Sequence, residues 1–301
     1  MVEAFLQFLW GSIFSWLTLI LLLPLLKNSF VDIPNSRSSH HLPTPRGGGV
    51  SFVVIGTLFN WIFLAGVMRW IPIICLPLAM VGLVDDRQGL PATWRYAAQL
   101  ITAVGLVSVS NISAPLWSLI LCVVIITAII NFFNFMDGLD GLVAGCGCLL
   151  MAAASSWALS GAIFGFLLLN WSPAKVFMGD VGSTFIGAVF GGIILQQQTS
   201  QDAINLFLIG FPIIADASTC LLRRFIKGEN IFVAHRDHLF QKLNRAGWTH
   251  SKVAGLYLGA TALLVLAQKT YGLTALIICI SLEFIIGFYL DVKTGTKLLN
   301  S

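Results

Sequence analysis

The sequence predicts an all-α fold: a polytopic membrane bundle of about 11 transmembrane helices, with 10 as the alternative count. Of its 301 residues, 57% are hydrophobic and only 10% are charged, whereas a soluble domain is about half apolar and about one quarter charged. Apolar runs long enough to span a bilayer recur along the whole chain. The polar stretch 223–252 is too short for a soluble domain, so residues 1–301 are predicted to form a single integral membrane domain.

The predicted segments are apolar runs separated by charged or turn-forming residues. The first lies between Glu3 and Lys27, the reverse of the charge order of a signal peptide, and is therefore predicted to be a permanent anchor. The third and seventh are short, so either could be re-entrant or tilted. In chain order the segments are 4–26, 48–68, 70–84, 94–110, 115–135, 141–158, 161–171, 183–198, 203–222, 253–268 and 272–290.

The basic residues predict the orientation of these segments. If the odd-numbered segments run inward, every Lys and Arg except Arg69 and Lys269 falls on one side of the membrane. The positive-inside rule makes that side cytoplasmic, with the N-terminus outside and the C-terminus in the cytoplasm. This topology explains the net charge of +4 without nucleic acid. The predicted cytoplasmic loops are about 27–47, 85–93, 136–140, 172–182 and 223–252.

The acidic residues follow the same asymmetry, although the positive-inside rule does not require it of them. All except Glu3, Asp202 and Glu283 are predicted on the cytoplasmic side. An Asp at the centre of a spanning helix costs about 2.5–3.5 kcal/mol, so acids grouped at one membrane edge indicate a shared, water-filled cleft. We therefore expect a cytoplasmic active-site cleft that binds a cation. The six cysteines lie in or beside apolar runs and lack the paired spacing of a zinc site.

Two motifs lie at the cytoplasmic ends of the second and third segments. Arg46 precedes the three glycines 47–49, whose backbone could approach an anion at a helix start; an ordinary turn is the alternative. Asp85 and Asp86 end the third segment, where the helix dipole disfavours acids. We expect one of them to face a cation or a substrate proton and the other to support the loop near Arg87.

A polar stripe ends the fifth segment. Asn131, Asn134, Asp137 and Asp140 recur at every third residue, so the helix would place them on one side. Oxygen ligands of this kind suit Mg²⁺ bound together with phosphates. Asparagines that only join helices are the alternative, but they would leave the carboxylates unexplained.

The remaining motifs lie in the last two long loops. Asp180, between two glycines, is a candidate metal ligand, with Lys175 for a phosphate and Phe177 for a base; a capped helix start is the alternative. The stretch 235–238, His-Arg-Asp-His, offers side chains that can donate hydrogen bonds to a phosphate. The alternative is a loop that is basic only because it lies on the cytoplasmic side. Neither a P-loop nor a dinucleotide-binding fingerprint is present.

In this order, the motifs resemble the polyprenyl-phosphate N-acetylhexosamine-1-phosphate transferase family over nearly the whole chain. That family includes undecaprenyl-phosphate GlcNAc-1-phosphate transferases and phospho-N-acetylmuramoyl-pentapeptide transferase. The resemblance implies a multi-pass enzyme of the bacterial cytoplasmic (inner) membrane that depends on Mg²⁺, with Mn²⁺ as the alternative. It further implies transfer of a HexNAc-1-phosphate from a UDP-HexNAc to a polyprenyl phosphate, with release of UMP. A homodimer is left open.

The same resemblance implies roles for the matching residues. The metal ligands that it implies are Asp180 and Asp140. The catalytic group is Asp85, Asp86, Asp137, Asp140 and His235, with Asp85 as base or organiser of the carrier phosphate. Binding of the nucleotide, diphosphate or sugar is assigned to Asn134, Lys175, Phe177, Arg46, Arg236 and His238. Direct attack by the carrier phosphate is favoured over an aspartyl-phosphate intermediate, though both fit these residues.

Two departures bear on the subfamily. The Pro-Thr-Pro-Arg run at 43–46 and the His-Arg-Asp-His at 235–238 differ from the muramoyl enzyme, which favours initiation of O-antigen or another surface polysaccharide over peptidoglycan synthesis. Phe240, where some relatives have histidine, leaves GlcNAc, FucNAc and QuiNAc open. The rival from another class is a secondary transporter, whose acids should lie near the membrane midplane rather than at one edge.

Overall fold

The structure, a computed structural model, describes residues 1–34, 39–40, 42–110, 112–230 and 235–299, with side chains described up to residue 295. Twelve α-helices account for most of these residues. A two-stranded antiparallel ribbon, β1 (Val31–Asp32) and β2 (Thr44–Pro45), follows the first helix. The helices are α1 Val2–Ser29, α2 Val50–Phe63, α3 Ile71–Gln88, α4 Ala92–Ser108, α5 Leu116–Met136, α6 Leu142–Ala153, α7 Trp157–Asn170, α8 Asp180–Leu195, α9 Ser200–Ile209, α10 Phe211–Ile226, α11 Leu239–Arg245 and α12 His250–Leu299.

Several of these helices are long and apolar enough to cross a membrane. They are α1, α5, α12 and the stretch Gly66–Gln88, which joins a short 3₁₀ helix to α3. The pair α9 and α10, bent by 73°, forms a fifth candidate, and α2, α6, α7 and α8 are shorter apolar helices. The chain is therefore an all-α membrane protein, as predicted, while the number of crossings stays a prediction.

Three predicted segments, 203–222, 253–268 and 272–290, differ from the helices that form. The segment 203–222 is divided into α9 and α10 at Gly210, because Pro212 in the first turn of α10 has no backbone N–H to continue a helix. The last two segments form the single helix α12, interrupted at Gly272, where a φ of 72° is available to glycine at little cost. Breaks of this kind depend on local backbone geometry, which hydropathy does not report.

Helix α8 is the centre of the bundle and carries the candidate metal ligand at its first residue. Every residue from Val181 to Ile193 is buried, as expected of a helix that is apolar on all sides. Its first turn packs closely against two neighbours through glycine. A Cβ on Gly82 of α3 would lie 2.7 Å from the carbonyl carbon of Asp180, and one on Gly49 would lie 2.6 Å from the Cα of Gly182. The start of α8 is thus fixed by direct backbone contact.

A buried carboxylate joins the last three helices. Asp216 of α10 accepts hydrogen bonds from the backbone N–H groups of Leu239 (2.8 Å) and Phe240 (3.1 Å), which begin α11. It also accepts one from the hydroxyl of Tyr257 on α12, at 2.6 Å. Buried charges are stable in proteins only when they are paired and hydrogen-bonded. Asp216 therefore positions α11, and with it the loop that precedes it.

Tyr257→Phe is expected to lower the free energy of unfolding by about 1.5–3 kcal/mol, because it removes a hydrogen bond to a buried charged group. Thermal unfolding of the purified protein in detergent measures this loss. Tyr271→Phe is the matched control, since the side chain of Tyr271 is 81% exposed. Equal melting temperatures for the two variants would contradict the role of Asp216 as a buried link.

Candidate active site

Asp86 is a fully buried carboxylate that holds the start of α8. It accepts hydrogen bonds from the backbone N–H groups of Asp180 (2.9 Å) and Val181 (3.2 Å) and from the guanidinium of Arg46 (2.5 Å). The first N–H groups of a helix have no partner within the helix, and the helix dipole favours negative charge there. Asp86 therefore caps α8 from a different helix. The cation that it faces among the described residues is Arg46.

Asp85, its neighbour, supports the loop that follows α3. Its carboxylate accepts a hydrogen bond from the backbone N–H of Leu90 at 2.5 Å and lies 3.3 Å from the guanidinium of Arg95. Asp85 thus supports this loop, as expected of one member of the pair, but like Asp86 it also faces a guanidinium group. Its ion pair with Arg95 also keeps Asp85 next to Asp180.

Asp180 lies where two basic side chains converge. Its carboxylate is 3.8 Å from Arg46, which follows β2, and 3.6 Å from Arg95 on α4. The Asp180 side chain keeps 20% of its surface exposed, whereas that of Asp86 has none. Arg95 belongs to none of the predicted motifs; the available signal was a basic residue in the first turn of the fourth segment, at the same predicted membrane edge. Asp180 is therefore the accessible carboxylate of this group.

The polar stripe of α5 divides because the helix ends at Met136. Asn131 donates to the side-chain oxygen of Gln99 at 2.7 Å, and Asn134 donates to the hydroxyl of Ser183 at 3.1 Å, so both join α5 to other helices. Asp137 lies just beyond the helix. Burial, together with the negative charges of Asp180 and Asp86, raises the pKa of Asp137 to about 8. Asp137 is thus electrostatically part of the Asp180 group.

Asp140 has different partners from those predicted. It lies 3.1 Å from Nδ1 of His250 and accepts a hydrogen bond from the backbone N–H of Ala174 at 3.2 Å. Burial acts to raise the pKa of Asp140, but the hydrogen bond and charge of His250 outweigh it and lower that pKa. Nε2 of His250 in turn lies 3.2 Å from the carbonyl of Ser39. Asp140 therefore fixes the start of α12 and the first loop, and His250, which no motif indicated, completes this contact.

Two cavities meet at Asp180. The larger, of about 250 Å³, is mainly polar and lies beside the first loop. The smaller, of about 50 Å³, combines polar groups with apolar side chains of α3 and α5. The larger is lined by Asp32, Ser39, His40, Arg46, Asp137, Gly138, Leu139, Asp140, Asn170, Phe177, Gly179, Asp180, Gln241 and His250. The smaller is lined by Leu78, Val81, Gly82, Arg95, Tyr96, Gln99, Asn131, Asn134, Phe135, Asp180 and Thr184.

The last loop contributes differently from the prediction. His238 is 3% exposed, stacks on His235 with ring centroids 5.0 Å apart, and has Nδ1 3.6 Å from Asp216. Burial acts to lower the pKa of His238, but its interactions with Asp216 and Cys220 raise it to about 9. For His235, burial and then the charge of His238 lower the pKa. In the described part of the chain, neither histidine lines the larger cavity.

Two further candidates also lie outside the walls of the larger cavity as described. The side chain of Lys175 is exposed, and its backbone N–H donates to the carbonyl of Leu169. Arg236 is partly buried. Residues 35–38 and 41 of the first loop and 231–234 of the last loop lie outside the described residues. Phe177 does line the cavity, and its ring contacts that of His40 edge to face, with centroids 4.8 Å apart.

The fold and the site define a polytopic helical membrane protein. Its clustered carboxylates and guanidinium groups form a polar site at one edge of the bundle. The model of glycosyl transferase family 4 matches residues 68–198. A phospho-N-acetylmuramoyl-pentapeptide-transferase of Synechococcus sp. (strain JA-3-3Ab) is 31% identical over 297 residues, covering 81% of this chain and 85% of the relative. The chain belongs to glycosyl transferase family 4, which confirms the family predicted from its motifs.

Two further relatives are named as undecaprenyl-phosphate N-acetylglucosaminyl 1-phosphate transferases. An undecaprenyl-phosphate alpha-N-acetylglucosaminyl 1-phosphate transferase of Yersinia pestis is 30% identical over 284 residues, covering 80% of this chain and 76% of the relative. A probable undecaprenyl-phosphate N-acetylglucosaminyl 1-phosphate transferase of Bacillus subtilis (strain 168) is 29% identical over 328 residues, covering 94% of this chain and 91% of the relative. The similarity thus extends over most of the chain.

Proposed function

We propose that this protein transfers a HexNAc-1-phosphate from a UDP-HexNAc to undecaprenyl phosphate or another polyprenyl phosphate, releasing UMP. The observation that carries the proposal is the position of Asp180. It lines both cavities, and its carboxylate is in contact with the guanidinium groups of Arg46 and Arg95. The larger, polar cavity suits the UDP-sugar. The smaller cavity, with its apolar walls and Arg95, suits the phosphate end of a lipid carrier. The names of the relatives support the same substrates.

In the proposed reaction, an oxygen of the carrier phosphate attacks the β-phosphorus of the UDP-sugar. The bond from the β-phosphorus to the bridging oxygen breaks, and UMP leaves with that oxygen. Phosphoryl transfer of this kind needs mainly positioning and charge neutralisation. Arg46 and Arg95 supply positive charge from opposite sides, and Asp85 and Asp86 hold these two guanidinium groups in place. The protein therefore has the groups to hold two phosphates against each other.

We further propose that Mg²⁺, with Mn²⁺ as a substitute, is bound by Asp180 and Asp137. Their oxygens suit a hard cation, and both carboxylates line the larger cavity. Burial is the first cause of the raised pKa of Asp137, and the negative charges of Asp180 and Asp86, which a cation would offset, add to it. Asp140, the second ligand implied by the family resemblance, is instead held by His250. When bound, the ion would neutralise charge on the diphosphate during transfer.

Phe177→Leu is expected to raise the KM for the UDP-sugar about tenfold, because stacking of a base on an aromatic ring contributes about 1–3 kcal/mol. Steady-state transfer assays with varied donor concentration measure it. Phe284→Leu on α12, whose side chain is 50% exposed on the bundle surface, is the matched control. An unchanged KM in Phe177→Leu would remove the ring from the nucleotide site.

The proposed role is the first membrane step in O-antigen or other surface-polysaccharide synthesis, at the cytoplasmic face of the bacterial inner membrane. The topology proposed with this role has eleven membrane crossings, an external N-terminus and a cytoplasmic C-terminus. A second candidate is phospho-MurNAc-pentapeptide transfer, because the relative from Synechococcus carries that name. A donor panel that includes both UDP-HexNAc sugars and UDP-MurNAc-pentapeptide separates the two.

A further inference from the structure

We propose that Gln241 determines specificity for the transferred sugar by hydrogen bonding to its 2-acetamido group; this inference rests on the proposed function. Gln241 lies on α11 and lines the larger cavity. Its side-chain oxygen Oε1 is buried and has no hydrogen-bond partner among the described residues. Buried polar atoms in folded proteins nearly always have a partner. An unpaired acceptor at a cavity wall therefore indicates a donor on the ligand.

The surroundings of Gln241 place its carboxamide near the reacting end of the cavity. A Cβ on Gly138 would lie 3.9 Å from Nε2 of Gln241 and 2.9 Å from the ring of Phe240. Gly138 directly follows Asp137, whose charge interacts with that of Asp180. In a UDP-sugar the sugar is bonded to the β-phosphorus, the atom that reacts. A side chain on this part of the wall is therefore suited to the sugar, while Phe177 and His40 supply an aromatic wall for the base.

Phe240 supports Gln241 but does not itself face the cavity. Its side chain is fully buried, between Gly138 and the ring of His238, which it stacks at 5.7 Å. Asp216 accepts a hydrogen bond from the Phe240 N–H and so fixes this turn of α11. The two adjacent residues thus have separate tasks: Phe240 packs the helix, and Gln241 presents its amide to the cavity.

The chemistry of a carboxamide selects an acetamido group over a hydroxyl. The buried amide oxygen can accept from the acetamido N–H, a donor whose direction is fixed by the planar amide. A 2-hydroxyl can also donate to this oxygen, but it rotates freely and is too small to displace water from the wall beside Gln241, so a hexose gains less from the contact. Gln241 thereby favours 2-acetamido sugars without contacting the nucleotide.

The test is Gln241→Met, which keeps the length of the side chain and removes its hydrogen bonds. We expect kcat/KM to fall about tenfold for the UDP-HexNAc that the wild type uses. The value for the matching UDP-hexose should change less than about twofold, and inhibition by UMP, which has no sugar, should stay the same. Gln197→Met is the control, because Gln197 lies just beyond the far end of α8 and donates to the backbone carbonyl of Ile193.

Two outcomes would overturn the assignment: an equal loss with both donors, or weaker inhibition by UMP. Thermal stabilisation by UDP-HexNAc, UDP-hexose and UMP provides a readout that needs no transfer. If the wild type binds UDP-HexNAc but transfers nothing, the proposed reaction fails. The Gln241 contact is still supported if Gln241→Met loses the extra stabilisation given by the HexNAc donor, and is refuted if it keeps it.

Discussion

Asp180→Asn is expected to reduce transfer on the order of 10³-fold while the protein stays folded in the membrane. The amide has the shape of the carboxylate but no charge, and Asp180 is the accessible carboxylate between Arg46 and Arg95. Transfer of label from a UDP-HexNAc to lipid by purified protein measures the loss. Loss of a negative charge close to Asp137 should not destabilise the fold, because those two carboxylates repel each other.

Asp202→Asn is the matched control for this substitution. Asp202 is exposed in the first turn of α9, away from both cavities, and its backbone N–H is bonded to the hydroxyl of Thr199. It should retain wild-type transfer. If Asp180→Asn kept more than about one tenth of wild-type activity, Asp180 would not be the centre of the site.

Asp86→Asn is expected to abolish transfer and also to destabilise the protein by about 3–5 kcal/mol, the usual cost of breaking a buried ion pair. The carboxylate accepts from Arg46 and from the two N–H groups that begin α8, and an amide cannot accept from all three. Thermal unfolding in detergent, measured together with transfer, separates this double loss from the purely chemical loss at Asp180.

Asp85→Asn provides the comparison for Asp86. Asp85 contacts Leu90 and Arg95 but does not accept from the backbone N–H groups that begin α8, so its substitution should leave more stability than Asp86→Asn. Identical melting temperatures for Asp86→Asn and Asp180→Asn would contradict the distinction between a structural and a reactive carboxylate.

The features predicted correctly are those that depend on composition and on short spacings. Apolar runs predicted an all-α membrane protein. The one-sided distribution of acids predicted a shared cleft, and of those acids Asp86, Asp137 and Asp180 interact with one another, whereas Asp216 is bonded to the start of α11. These properties follow from the cost of placing charge in lipid and from helix geometry. The roles predicted for Asp85 and Asp86 stay predictions.

The contacts that were missed join residues far apart in the chain. Arg95 and His250 belong to no motif, and their partners, Asp180 and Asp140, are known only once α4 and α12 are packed. The polar stripe was extended too far because hydropathy does not show that α5 ends at Met136. The role of Asp140 as a metal ligand stays a prediction; in the described residues its carboxylate is paired with His250.

The last loop illustrates the same limit of sequence patterns. Histidines such as His235 and His238 can donate hydrogen bonds to a phosphate. However, His238 is buried against Asp216, and the nearby Gln241 lines the larger cavity instead. Which side of a short helix faces the ligand depends on the partners of its first N–H groups. Here those partners are the two oxygens of Asp216.

The most direct test of the proposed function is transfer by the purified protein from a panel of radiolabelled UDP-HexNAc donors and UDP-MurNAc-pentapeptide to undecaprenyl phosphate, with Mg²⁺ or with EDTA. We predict labelled lipid and an equal amount of UMP with a HexNAc donor and Mg²⁺, and neither product with EDTA. Well-folded protein that labels no lipid from any donor would contradict the transferase account and favour transport, whereas equal labelling in EDTA would contradict the metal site.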